Sequence, residues 1–240
     1  MTDDRSQRST LTTGRPLDER GEPTDGPALR VDPGGPAVKL FTESPHPLTS
    51  SPGAGMWSAL LNYPDDETDA DPVLLVWLAP DAMELPPHVH TRDTEYFRSL
   101  EGELTAVIEG EPHRFVPGED VTIDPGEEHA FRNDTDEFVA FYAELPWEKT
   151  IETQFTFCGL DHEGKFGSGD ERYGEPGFVY ALVMTEYLYD GTIATVLPVA
   201  VQRLLWATAG RIAKALGRRA VEEKYLRDEF WIGHVEQPEL

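Results

Sequence analysis

The chain has 240 residues, of which 45 are acidic and 20 are basic, so that its formal net charge is −25. This balance argues against nucleic acid as a partner, because no domain-wide basic surface exists to meet phosphates. The single cysteine, Cys158, can form no internal disulfide, and residues 1–5 lack the apolar core of a signal peptide. A cytoplasmic location is therefore expected.

The excess of acids is combined with a scarcity of lysine, which occurs only at positions 39, 149, 165, 214 and 224. Abundant acids with few lysines favour a protein from a high-salt cytoplasm, where salt screens the self-repulsion. An acidic soluble protein without such an adaptation is the alternative. We expect a halophilic source.

Residues 1–36 are polar, with isolated apolar side chains, and predict a disordered tail. A short strand is predicted at 38–41, a loop at 44–55 and an acidic turn at 65–71. Short strands separated by turn signals follow up to residue 158. Such spacing predicts an antiparallel sandwich or barrel over residues 37–158. The main predicted strands are 56–63, 73–78, the segment at His88, 95–100, 103–108, 113–116, 121–123, 128–132 and 138–145.

Four side chains in this region form a candidate metal site. His88 and His90 are two residues apart, so on a strand both imidazoles point to the same face. Glu95 follows a short polar stretch and can reach the same point from the next strand. His129 follows a tight turn that contains Pro125 and Gly126. Three imidazoles and one carboxylate suit a divalent transition metal.

The spacing resembles the two signature motifs of the cupin superfamily. In the first, His-x-His is followed after four residues by Glu and after six more by a glycine, here Gly102. The second runs from Gly118 through Pro-x-Gly to His129 and Asn133. Asp124 departs from this pattern, because the family usually has proline there, and the departure affects the turn and none of the ligands. The resemblance covers about residues 73–145.

The resemblance implies a double-stranded β-helix, or jelly-roll barrel, which makes the chain mainly β with a C-terminal α-helical extension. It also implies that His88, His90, Glu95 and His129 bind Fe, Mn, Ni, Cu or Zn. Cupins of this kind include metal-dependent dioxygenases, isomerases and decarboxylases, and also ligand-binding proteins without chemistry. We expect a metal-dependent enzyme, dioxygenase-like or an isomerase, that acts on a small organic molecule. The alternative is a non-catalytic binding or sensing module.

Strand alternation names the side chains expected to line the pocket. Phe97 and Ser99 share a face with Glu95, and Phe131 shares a face with His129. Either Phe141 or Tyr142, together with Trp77, could complete the wall. No catalytic acid or base is evident beyond the ligands. The remaining histidines have no ligand spacing and are expected in loops, in tails or beside a hairpin: His46, His113, His162 and His234.

Residues 159–240 are predicted to be a loop and a helical extension. The segment 147–158 is expected to extend the sheet or cross back over it, 161–177 to be a polar loop, and 178–189 to be a helix. Residues 198–219 contain no acid and five bases, and predict an amphipathic helix. Its apolar face would pack on the barrel or on a second subunit in a homodimer, lie in a membrane interface, or span a bilayer.

Overall fold

The computed structural model describes residues 10–63 and 71–240, and its described part contains thirteen strands. Residues 1–9, within the predicted tail, and 64–70, which include all but the last residue of the predicted acidic turn at 65–71, lie outside the described part. The strands are β1 (Leu11–Thr13), β2 (Leu29–Val31), β3 (Thr49–Ser51), β4 (Met56–Asn62), β5 (Val73–Leu78), β6 (His88–His90), β7 (Glu95–Glu101), β8 (Leu104–Ile108), β9 (Glu111–Phe115), β10 (Asp120–Ile123), β11 (His129–Arg132), β12 (Val139–Glu144) and β13 (Thr192–Ala194).

Two antiparallel sheets form the centre of the molecule. One has six strands in the spatial order β10-β7-β12-β5-β4-β3, and the other has five in the order β13-β6-β11-β8-β9. The core contains Leu75, Phe97, Leu104, Ile123 and Phe131, all of them buried. The mainly β cupin jelly roll expected from the sequence is therefore confirmed, as is the helical extension that follows it.

Strand β5 is apolar throughout because both of its faces are covered. Its partner strands are β4 and β12, and helix α1 (Pro36–Glu43) packs on it from outside, where Phe41 contacts Trp77 with ring centroids 6.3 Å apart. The predicted strand at 38–41 is therefore wrong. Pro36 begins a helix there, and the four residues 38–41 are too few to show a helical period.

The described part of the expected disordered tail, residues 10–36, is folded. β1 and β2 pair, and Leu29 and Val31 are buried. Gly14 N donates to Glu236 O at 3.1 Å, and Trp57 Nε1 donates to Gly14 O at 2.8 Å. The ordering comes from partners outside the segment, one of them more than 200 positions away in the chain, which local composition does not reveal.

The segment 147–158 does not continue the sheet. It lies in helix α2 (Glu148–His162), whose buried residues include Ile151, Phe155 and Cys158. These positions recur at helical spacing, and the helix packs on β3 at the edge of the six-stranded sheet. The helix expected at 178–189 is present as α3 (Phe178–Leu188).

The helix expected at 198–219 is present in three connected pieces. They are α4 (Val199–Leu205), a π-helical turn (Trp206–Gly210) and α5 (Arg211–Ala215), and we call them together the surface helix. It packs on α3, where Trp206 Nε1 donates to Thr185 Oγ1 at 3.1 Å and Lys214 pairs with Glu186 at 2.9 Å. No helix among the described residues is long and apolar enough to cross a bilayer, so a spanning helix is not supported.

The chain ends in a 3₁₀ helix (Glu223–Leu226) and α6 (Asp228–His234). Tyr225 and Trp231 are fully buried against α2, and Trp231 Nε1 donates to Tyr225 O at 2.8 Å. Gly159 of α2 lies directly against the Tyr225 ring, and a Cβ at this position would overlap it. Close packing thus holds the C-terminal residues of the extension against α2.

Candidate metal centre

Three neighbouring strands bring the four predicted ligands together. His88 and His90 stand at the two ends of β6, Glu95 begins β7, and His129 begins β11 directly opposite His88. One ligand atom from each side chain lies within 4.8 Å of every other. The pairing of β6 with β11 brings the three histidines together, and β7 of the other sheet brings Glu95 to the same point.

The Glu95 carboxylate lies at the centre of the cluster. Its Oε2 atom is 3.0 Å from His90 Nε2 and 2.8 Å from His129 Nε2. The ring centroid of His88 is 4.3 Å from that of His129 and 5.1 Å from that of His90. A divalent cation bound by these atoms would replace the direct hydrogen bonds between carboxylate and imidazoles.

The outer nitrogen of each imidazole has an oxygen partner at 3.0 Å. His88 Nδ1 faces Pro86 O, His129 Nδ1 faces Glu127 O, and His90 Nδ1 faces the hydroxyl of Thr192. A carbonyl can only accept, so Nδ1 carries a proton in His88 and His129, which would leave Nε2 as the ligand atom once a metal takes the place of the proton shared with Glu95. Such outer partners are usual for metal-binding histidines.

At Glu95 and His88 the electrostatics favour the protonation states that a metal needs, whereas at His129 they favour a proton that a metal would have to displace. Burial would raise the pKa of Glu95, but hydrogen bonds from His129 and His90 lower it to about 2. Burial lowers the pKa of His88 to about 4. Burial also opposes the charge on His129, but the Glu95 carboxylate outweighs it and raises the pKa. An ionised carboxylate beside imidazole nitrogens fits a divalent transition metal, which would displace any proton between them.

The turn before His129 forms without the usual proline. Gly126 adopts φ of 91°, and its N–H donates to His90 O at 2.8 Å. At Asp124, where the cupin pattern has proline, the backbone N–H donates to the Glu127 carboxylate at 2.8 Å and the carbonyl accepts from Glu127 N at 3.1 Å. Hydrogen bonds thus close the turn where the ring of proline would have stiffened it.

Asn133 is a structural residue of the second motif. Its Nδ2 atom lies 2.8–3.2 Å from the carbonyl oxygens of Leu78, Ala79 and Glu137, and its Oδ1 accepts from Thr135. These bonds connect the end of β11 to the end of β5 and to the turn before β12. The position therefore joins both sheets beside the site.

Aromatic side chains lie on the core side of the cluster. Phe131 is 5.7 Å from His129 between ring centroids, and Phe97 is 3.7 Å from Phe131 and 5.9 Å from Phe141. Phe141 therefore belongs to this wall, and Tyr142 does not, since its ring pairs with Tyr96. Trp77 also does not belong to it, because it adjoins Phe41 of α1 on the other face of the sheet.

Ser99 is buried on the same strand face as Phe97, as the alternation predicts, and its Oγ donates to Gly102 O at 3.2 Å. Among the other histidines, His113 is exposed as expected. His162 is not in a loop. It is buried at the end of α2, with Nε2 2.7 Å from Ser50 Oγ.

Sequence reasoning missed Thr192, which lies about 100 positions from the ligand that it contacts. Strand β13 pairs with β6 in a register that places Thr192 opposite His90. The run Thr192-Ile193-Ala194-Thr195-Val196 is rich in β-branched residues, which is the only local signal for a strand. Nothing local indicates its partner.

Comparisons with known proteins agree with the position of the site. Residues 74–143 match the Cupin_2 family, described as a cupin domain. No curated protein matches the chain.

Solved structures similar to this chain cover only about two fifths of it. A cupin-superfamily sugar phosphate isomerase from Silicibacter pomeroyi is 28% identical, with 41% of this chain and 67% of that chain covered and a TM-score of 0.33. The cupin domain of an XRE family transcriptional regulator from Enterobacter cloacae is 29% identical, with 39% and 98% covered and a TM-score of 0.34. The polyketide cyclase RemF from Streptomyces resistomycificus is 21% identical, with 43% and 75% covered and a TM-score of 0.38.

The family match spans β12, β5 and the strands between them, and therefore includes all four clustered side chains. It agrees with the two antiparallel sheets observed. Together, the match and the architecture support the assignment of residues 74–143 to the cupin superfamily.

Proposed function

We propose that this protein is a metal-dependent enzyme, of dioxygenase type, that acts on a small organic molecule. The observation that carries the proposal is the convergence of His88, His90, Glu95 and His129 within 4.8 Å. These side chains would hold iron, manganese, nickel, copper or zinc. When bound, such a metal would act as a Lewis acid toward substrate oxygens.

The surroundings of the cluster support a small, partly apolar substrate. His88 is only partly buried, whereas His90, Glu95 and His129 are at most 4% exposed, so a ligand would reach the centre past His88. Phe97, Phe131 and the rest of the aromatic wall would exclude water from the inner side. The Glu95 carboxylate, ionised over a wide pH range, would keep the imidazoles oriented.

A second candidate is a binding or sensing module that holds a metal without turnover. The deep burial of three of the four side chains favours it, because a closed site exchanges ligands poorly. Catalysis requires at least one open coordination position, and measured turnover separates the two candidates.

The first experiment is elemental analysis of wild-type protein purified in high salt, beside His90→Ala. The matched control is His113→Ala, which removes an exposed histidine from the same domain. Near-stoichiometric metal in the wild type and in His113→Ala, but not in His90→Ala, is expected. No metal in any of the proteins after reconstitution with Fe²⁺, Mn²⁺, Ni²⁺, Cu²⁺ or Zn²⁺ would contradict the proposal.

The second experiment addresses the reaction. Protein loaded with iron or manganese is screened for O2 consumption with phenols, small carboxylic acids and sugars. Uptake that His90→Ala abolishes is expected for a dioxygenase. Stable metal binding without O2 uptake or substrate conversion would contradict the dioxygenase proposal and support the second candidate, a binding or sensing module.

A further inference from the structure

Strand β13 covers the free edge of the ligand strand β6. In addition to the pairing of Thr192 with His90 and of Ala194 with His88, Thr91 N donates to Gly191 O at 2.8 Å and Thr195 N donates to Pro87 O at 2.9 Å. β13 lies outside the stretch that matches the cupin family. The C-terminal extension therefore contributes directly to the surroundings of the candidate metal centre.

The hydroxyl of Thr192 lies between two nitrogens. It is 3.0 Å from His90 Nδ1 and 3.4 Å from Trp147 Nε1. An indole N–H can only donate, and a hydroxyl oxygen has two acceptor positions, so Thr192 can accept from both rings. Trp147 is itself held close, because a Cβ on Gly191 would lie 2.7 Å from its indole.

We propose that Thr192 is a positioning residue for the metal. With a metal bound, it would accept the Nδ1 proton of His90 and thereby hold Nε2, which here lies 3.0 Å from the Glu95 carboxylate, toward the centre. This inference rests on the proposed function. Thr192 also differs from the outer partners of His88 and His129, which are backbone carbonyls, because a side-chain substitution can remove it.

The test compares Thr192→Val, which keeps the shape and removes the hydroxyl, with Thr192→Ser, which restores it. The control is Thr195→Val, which removes a hydroxyl of the same segment that donates to Pro87 O at 3.0 Å. Metal affinity is measured by competition with a chromophoric chelator, and the Co²⁺ visible spectrum reports the ligand geometry. Thermal melts of the metal-free proteins verify folding.

We expect Thr192→Val to weaken binding about ten- to a hundredfold, which is the usual effect of removing an outer partner of a metal ligand. Thr192→Ser should restore most of the affinity, and Thr195→Val should bind as the wild type does. If folded Thr192→Val and the wild type have equal metal affinity, the role of Thr192 is overturned but the proposed function is not. An equal loss in Thr195→Val would also overturn the role of Thr192, because strand pairing would then be the cause. Absence of binding by the wild type would instead remove the proposed function.

A separate observation concerns the surface helix. Its buried face contains Gln202, Trp206, Gly210 and Ala213, at spacings of three and four residues. The opposite face is apolar and faces solvent. Its side chains include Val201, Leu204, Ile212 and, directly after the helix, Leu216, with exposures of 42%, 64%, 64% and 75%.

The charge around this face is opposite to that of the whole protein. Residues 196–219 contain five bases and no acid, in a chain of net charge −25. Lys214 pairs with Glu186, and Arg203 and Arg218 donate to Tyr189 and Tyr180 on or beside α3. The bases therefore flank the exposed apolar row on a helix whose other side is anchored.

We also infer that this face docks on an anionic membrane surface. Apolar side chains flanked by arginine and lysine suit the boundary between acyl chains and acidic headgroups. A second copy of this chain fits less well, because a two-fold contact through the helix would bring one set of bases against the same set on the partner.

The test is sedimentation of the full chain with vesicles of phosphatidylglycerol and phosphatidylcholine, and with phosphatidylcholine alone. A double variant, Leu204→Glu with Ile212→Glu, removes the apolar row. Ile232→Glu is the control, since Ile232 is also an exposed isoleucine, at 57%, but lies on α6. Sedimentation velocity gives the oligomeric state of each protein.

Binding of the wild type and of Ile232→Glu to the anionic vesicles, with at least a tenfold loss in the double variant, is expected. Failure of the wild type to bind anionic vesicles would overturn the inference. A wild-type dimer that the double variant converts to a monomer would also overturn it, in favour of a contact between copies.

Discussion

The metal cluster and the surface helix differ in how far their sequences determine their surroundings. Residues 88–129 place four candidate ligands at one point, because β6 and β11 pair and β7 brings Glu95 from the facing sheet. The surface helix has an equally regular pattern, but its partner, α3, comes from another part of the extension. A pattern of residue types thus specifies a site when all its members lie within one short stretch of the chain, and only a face when the partner lies outside the pattern.

Asn133→Ala tests the more local of the two regions and should have the largest effect on stability. The variant loses the bonds to three carbonyls, two of which are buried, and with them the connection between the ends of β5 and β11. We expect a loss of about 3 kcal/mol in the free energy of unfolding. Urea denaturation measures it, with Asn62→Ala, which loses a single bond to Asp71 O, as control. A loss below about 1 kcal/mol would show that the second motif needs only its histidine.

Gly159→Ala tests the remote contacts of the extension. The added methyl group overlaps the Tyr225 ring, so we expect a loss of about 2 kcal/mol. Gly233→Ala is the matched control, because Gly233 is also helical but has free space at Cβ, and alanine should stabilise the helix by about 1 kcal/mol.

Circular dichroism and metal release, followed in one denaturant titration, then show whether extension and barrel unfold together. We expect one common transition that Gly159→Ala shifts to lower denaturant. Two separate transitions would show that the extension and the barrel unfold independently. The packing of the extension would then not contribute to the stability of the barrel.

His162 should give the smallest effect, and it depends on pH. Burial lowers its pKa to about 3, and the nearby charges of His234 and Arg172 act in the same direction. The stabilisation is complete above the unfolded pKa of about 6.5 and decreases as pH falls toward 3, because the unfolded chain then binds a proton that the native one does not.

Between pH 7.5 and 5.5 we expect the wild type to lose about 1.4 kcal/mol more than His162→Gln does. Chemical denaturation at several pH values measures the difference. Parallel pH profiles for the two proteins would show that His162 is protonated in the folded state as readily as in the unfolded chain.

The barrel strands, the jelly-roll class and the convergence of the four candidate ligands were predictable, because strand alternation and motif spacing are local. The strand at 38–41, the sheet at 147–158 and the disorder of the described tail were not correctly predicted. The first two segments carried short or ambiguous local patterns, whereas the tail is ordered by partners outside it, such as Trp57 for the segment at Gly14. The role of Thr192 was not predicted because its partner, His90, lies about 100 positions away in the chain. The halophilic source, the cytoplasmic location and the homodimer remain predictions.

The hydrogen bonds of Gly14 to Trp57 and Glu236 also have a consequence for synthesis. β4 leaves the ribosome early, but Gly14 N cannot find its acceptor until residue 236 has been translated. The same delay applies to Arg15, which pairs with the Glu236 carboxylate at 2.6 Å. Contacts so far apart in sequence slow folding. We therefore expect nascent chains to form these contacts only after residue 236 has left the ribosome.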